Sequence, residues 1–178
     1  NRLVWYGFKI KSKEPKFKPK AHSITFTQIK QIHKNQKKKS CYKGMFWRMN
    51  TQSDGLTWMA VTKENGEKIN KTYLPNLIND EWTQIKVGIY FSDSKSGWLM
   101  AFIDNELVYE FNGRTVRNIF ENCTPVGKNN TYFRIGVYRG SDSKLLTSRN
   151  VPDDQRDELH FDDFIVSNNE ANVNIALG

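Results

Sequence analysis

Two short stretches of this chain carry side chains that could move a proton beside a carboxylate. Gln31-Ile32-His33 sets an amide and an imidazole two positions apart, which puts both on one face of a strand. In Thr131-Tyr132-Phe133-Arg134-Ile135-Gly136-Val137-Tyr138, Phe133, Ile135 and Val137 form an apolar face, and Tyr132, Arg134, Gly136 and Tyr138 form the opposite one. If the two strands share a sheet, Gln31, His33, Arg134 and Tyr138 meet. The amide and the cation would then hydrogen-bond a carboxylate and stabilise the enolate-like charge that builds when the adjacent carbon is deprotonated. The phenol or the imidazole would move the proton. Gly136 leaves an open spot where another molecule can reach the backbone. Each residue alone has a plainer reading, since a single His is usually structural or exposed and a strand Tyr usually packs.

The elements that must position these groups read as strand after strand. Leu3 to Ile10, Ser23 to His33, Tyr42 to Met49, Leu56 to Thr62, Trp82 to Phe91, Trp98 to Ile103, Leu107 to Phe111, Tyr132 to Tyr138 and Leu159 to Ser167 are β-branched and aromatic runs. Glu64-Asn65-Gly66-Glu67 and Asp104-Asn105 are turn signals. Thr115 to Glu121 is the one short helical candidate. Strands at short spacing without βαβ alternation predict one all-β antiparallel sandwich or barrel over residues 1–178. In the second strand Ile24, Phe26 and Ile32 share the apolar face, and Thr25, Thr27, Gln31 and His33 the other. Lys30 falls on the apolar side, a defect that a bulge or a sheet edge would repair.

Composition narrows the partners. The 178 residues carry 27 Lys and Arg against 19 Asp and Glu, a net +8, which gathers anions around the molecule. Nucleic acid, anionic polysaccharide and acidic membrane surfaces all fit that balance. Lys34-Asn35-Gln36-Lys37-Lys38-Lys39 concentrates part of it and reads first as a solvated loop. No RNP-like or zinc-finger pattern supports nucleic acid, and no apolar run is long enough to span a bilayer. Cys41 and Cys123 fit no metal spacing and are either one disulfide or two thiols. Asp153, Asp154, Asp157, Asp162 and Asp163 make an acidic stretch where a structural calcium competes with a solvated loop. Otherwise no cofactor is expected. The chain opens on Asn1, as a trimmed or mature chain would.

These motifs resemble a known family. Gln31-Ile32-His33 matches the Q-[IV]-H motif of family 7 alginate lyases, and Tyr132 to Tyr138 is similar to their Y-F-K-A-G-[VI]-Y motif, with Arg134 for Lys and Ile135 for Ala. Heparin lyase I and glucuronan lyase-like families carry a similar Y-F-K-x-G-x-Y-R stretch, and Arg139 follows Tyr138 here. Trp82 to Phe111 and His160 to Phe164 also look like parts of these relatives. The resemblance implies a β-jelly-roll of two curved antiparallel sheets whose concave cleft holds a uronate polysaccharide cut by β-elimination. It implies Tyr138 as general acid and base, His33 as alternative base or carboxylate neutraliser, and Gln31 on the carboxylate. Arg134, Tyr132, Arg139 and Arg48 are the implied substrate contacts. The alginate lyases' R-[ST]-E-[LV]-R strand has no counterpart before Gln31, consistent with a missing N-terminal strand. Arg2 and Arg48 are the candidate substitutes; Arg156 to His160 copies its spacing only by coincidence, since it lies in the last strand. A secreted, extracellular or periplasmic monomer is expected. The rival is a lectin-like module holding glycan on Trp47, Trp58 and Trp98, although large sandwich aromatics are more often core.

Overall fold

The computed structural model describes residues 2–19, 23–31, 45–62, 68–92, 94–115, 131–139 and 157–177, with backbone alone at 31, 45, 62, 68–70, 131, 139 and 175. Ten strands follow one another among the described residues: β1 Arg2–Ser12, β2 Ser23–Gln31, β3 Met45–Gln52, β4 Leu56–Thr62, β5 Lys68–Pro75, β6 Thr83–Phe91, β7 Trp98–Ile103, β8 Glu106–Asn112, β9 Thr131–Arg139 and β10 Leu159–Ser167. They form two antiparallel five-stranded sheets, ordered β10-β1-β6-β7-β8 and β5-β4-β3-β2-β9. The architecture is the expected all-β jelly-roll sandwich. Asp104 and Asn105 both take positive φ, as a two-residue hairpin demands of its centre. His33, Ile32, Cys41, Cys123, the basic loop at Lys37 to Lys39, the turn at Glu64 to Glu67 and residues 116–121 lie outside the described residues.

Alternation explains the core. Phe8, Ile10, Ile85, Val87, Ile89 and Leu99 from the first sheet meet Ile24, Phe26, Ile29, Phe46, Trp47, Met49 and Met59 from the second. Fully burying one such side chain contributes about 1.5–3 kcal/mol. Phe133 closes one side of the sandwich, its ring stacked 4.2 Å from Tyr6. On the other side Tyr109 Oη accepts the Val61 N–H at 3.1 Å, tying β8 to β4. Burial pushes the Tyr109 phenol up to about 12.

A helix absent from the sequence reading, α1 (Glu170–Leu177), covers the outer face of the first sheet. Val173 and Leu177 pack on Trp5. A Cβ on Gly7 would lie 2.4 Å from Val173, so only glycine admits the helix at this depth. Lys86, nearly buried on the same face, bonds Glu170 at 2.7 Å and Asn174 at 2.8 Å. No helix among the described residues is long and apolar enough to cross a membrane.

Two side-chain assignments change. Val137 is 42% exposed instead of core-facing. Gly136 sits at φ +136° beside it, and the ladder jumps from Thr27–Ile135 to Thr25–Tyr138, so β9 carries an extra residue there and the alternation breaks. Thr27, expected opposite the apolar face, is buried, and its hydroxyl donates to the Arg134 carbonyl at 3.1 Å. A register shift against β3 between Thr25 and Thr27 turns it inward. Beyond the shift Ile29 is in the core, which repairs the misplaced Lys30.

Candidate active site

β2 and β9 are neighbours in one sheet, so the two motifs do share a surface. Their register decides which residues meet. Gln28 lies opposite both Arg134 on β9 and Arg48 on β3, and Arg48 lies opposite Ala60 on β4. Because Thr27 and Ile29 point inward, Gln28 points to the outer face. The next outward row is Tyr138, Thr25, Asn50, Trp58 and Tyr73, one residue from each of the five strands. Among the described residues no element packs over this face.

The rows differ in chemistry. The first brings an amide between two guanidiniums, and Lys71 joins it where β5 is irregular opposite Ala60. Arg134 also lies 4.7 Å from the Tyr132 ring, and Tyr132 pairs with Lys30. The second row is aromatic and polar. Tyr138 is 65% exposed and Tyr73 50%, whereas Trp58 is buried beneath Arg48 and Lys71. Thr25 Oγ1 donates to Asn50 Oδ1 at 2.8 Å, fixing the middle of the row. Neither row contains a carboxylate. An anion with hydrogen-bonding edges and apolar ring faces suits the pair.

The expected residues fall unevenly on this frame. Tyr138, Arg134, Tyr132 and Arg48 share the outer face. Arg139 takes the register position opposite Ile24, and its side chain is not described. Gln31 ends β2 opposite Thr131, about 20 Å along the strand from Thr25, the partner of Tyr138. Its side chain and all of His33 lie outside the described residues. Gln28 was missed, although Gln28-Ile29-Lys30 repeats the amide–apolar–basic pattern three residues earlier. Arg2 belongs to the other sheet and lines a hollow of about 540 Å³ with Leu3, Val4 and Val166, away from both rows. Trp47 is core, and Trp98 packs against Tyr90 and Trp5 in the other sheet, so neither joins a platform here. Asp163 pairs with Lys9 at 2.8 Å. No group of three or more metal-ligating side chains occurs among the described residues.

Comparisons with known proteins agree with the fold. A family model described as polysaccharide lyase matches residues 1–165. An endo-β-1,4-glucuronan lyase from the fungus Trichoderma reesei superposes with a TM-score of 0.62 at 15% identity, over 97% of this chain and 71% of that one. An alginate lyase from Pseudomonas aeruginosa gives 0.54 at 12%, over 93% and 64%. A family 7 alginate lyase in complex with substrate gives 0.54 at 13%, over 94% and 61%. The chain thus spans less than two thirds of either alginate lyase. At these identities the likeness is one of fold. No curated protein matches the sequence.

Proposed function

The chain belongs to the polysaccharide lyase family, and from that premise we propose that it cleaves a uronate-containing anionic polysaccharide by β-elimination on the outer face of the β5–β9 sheet. The observation that carries the proposal is the row Arg134, Gln28, Arg48, with exposed Tyr138 one row away.

A C5 proton beside an ionised carboxylate is a poor acid, because removing it builds a second negative charge. Hydrogen bonds from Gln28 and the two guanidiniums would spread that charge, each donor contributing about 3 kcal/mol by analogy with oxyanion donors. Tyr138 as phenolate takes the C5 proton. The electron pair left on C5 forms the C4–C5 double bond, and the C4–O glycosidic bond breaks with its electrons going to oxygen. The Tyr138 phenol returns its proton to that oxygen, so atoms and charge balance. His33 is the second candidate base, and Gln28 takes the carboxylate role that motif matching gave to Gln31. The glycan reaches the site as the family's polyanionic substrate would, from a secreted or extracellular setting.

Tyr138→Phe removes one hydroxyl from an exposed position and should leave the fold intact. It is expected to abolish unsaturated product, read by absorbance on a panel of uronic acid polymers, while binding persists. Near-normal turnover would refute the role of Tyr138. A parent protein that binds uronate polymers yet never yields unsaturated ends would establish the lectin-like alternative instead.

A further inference from the structure

We infer that Trp82 and Lys11 form a second glycan-binding site, on the outer face of the β10–β8 sheet and so opposite the rows around Tyr138, and that it takes a single uronate sugar. The inference rests on the reading above for the uronate substrate alone and places a second contact for it on the other side of the sandwich.

Strand alternation builds the site. Ile10 is core, so Lys11 points outward, and the register that sets Ile10 opposite Thr83 brings Lys11 beside Trp82. Lys11 Nζ lies 4.6 Å from the centre of the Trp82 ring, and Trp82 is 41% exposed. Among the described residues helix α1 is the element packed on this face, and it stops short of the pair. Gln84, one row nearer the helix, donates from Nε2 to the Leu177 carbonyl at 3.0 Å. The lysines two residues to either side are each held by a carboxylate, Lys9 by Asp163 and Lys13 by Glu158, both at 2.8 Å. His160, opposite Lys11 on β10, is also engaged by Glu158, at 3.3 Å. Lys11 has no carboxylate partner among the described residues and rests on the indole.

A ligand can exchange that pairing. A cation over an exposed ring is held weakly. A sugar ring offers the indole an apolar face, and a uronate adds a carboxylate for the displaced ammonium, a charge-assisted bond that the indole cannot supply. A neutral sugar would displace Lys11 and give it nothing in return. The surroundings select against denser anions. Asp80 and Glu81 precede Trp82 in the chain and Glu158 stands beside His160, so the potential around Lys11 is not broadly positive. A polyphosphate, all charge and no apolar face, gains little here. Because this site and the cleft lie on opposite sheets, a short oligosaccharide fills one of them at a time. A long polymer engages both, which raises its effective concentration at the cleft.

The test is affinity electrophoresis of the parent protein, Trp82→Ala, Lys11→Ala and Lys11→Arg. The gels hold a uronate polymer or the same polymer with its carboxylates reduced to alcohols. On the uronate polymer Trp82→Ala and Lys11→Ala should each weaken retention about three- to tenfold, the size of one aromatic contact. Lys11→Arg should restore most of it, since a guanidinium both stacks on an indole and pairs with a carboxylate. On the reduced polymer Lys11→Ala should change nothing, and excess inorganic polyphosphate should leave the Trp82-dependent part of retention in place. Turnover of a uronate tetrasaccharide, too short to bridge the two faces, should match the parent in all three variants. Unchanged retention in Trp82→Ala, a Lys11→Ala effect equal on both polymers, loss of the Trp82-dependent part to polyphosphate, or tetrasaccharide turnover falling in step with retention overturns the site. Unsaturated product is assayed in parallel on the parent protein. Its absence together with Trp82-dependent retention overturns the lyase reading and keeps the site, and its presence without such retention does the reverse.

Discussion

Gln28 shows how finely the chemistry depends on register. It is an amide at 8% exposure, set between Arg134 and Arg48 by the ladder on either side. Gln28→Ala is expected to lower turnover by roughly 10²–10³-fold, the range for a lost charge-stabilising donor, with binding weakened far less. Gln31→Ala should cost much less if Gln28 holds the carboxylate; a steady-state comparison of the two variants on one polymer decides between them. The sequence made the residue types of this site legible: a phenol, a guanidinium and an amide on neighbouring strands. It did not fix which glutamine, because two amide–apolar–basic triplets stand three residues apart. What sets Gln28 opposite two guanidiniums is a register that only the partner strands β3 and β9 reveal.

At the scale of elements, strong β-branched and aromatic runs made nearly every strand visible, and β4, β7 and β10 coincide with the runs that predicted them. Strand β5 (Lys68–Pro75) lies in none of those runs, and the rest of what escaped were features owned by two elements at once. The break in β9 at Gly136 depends on its pairing with β2, so simple alternation sent Val137 to the wrong side. Gly136→Ala meets no neighbour within 4 Å, yet its φ of +136° is costly for a residue with a Cβ. A loss of about 1–3 kcal/mol in urea unfolding is expected, with turnover falling further as Tyr138 is re-aimed. Helix α1 escaped because Glu170–Leu177 is eight residues long, too short to persist alone. Its stability comes from packing on Trp5 and from the space at Gly7. Gly7→Ala drives a methyl into Val173 and should destabilise the fold by about 1–3 kcal/mol, with fluorescence of Trp5 reporting a displaced helix.

For the molecule as a whole, the burial of the Tyr109 phenol makes the sandwich sensitive to alkali, and the Val61 N–H bond only partly offsets it. The folded phenol, at about 12, lies above its ordinary value of 10.0. Its contribution is therefore complete below pH 10 and is lost as pH rises through 12. Two pH units correspond to about 3 kcal/mol. Urea midpoints should fall between pH 10 and 12, and Tyr109→Phe should flatten that fall while lowering stability at neutral pH. The rows on the β5–β9 sheet carry a different consequence. Each strand contributes one side chain per row, so backbone hydrogen bonding, and not side-chain packing, spaces the contacts at about 4.8 Å. The ladder is a ruler with fixed graduations, and a ligand must be commensurate with it. Oligosaccharides should gain affinity with each added sugar until they span all five strands, and further length should add nothing; titration with a length series would show the plateau.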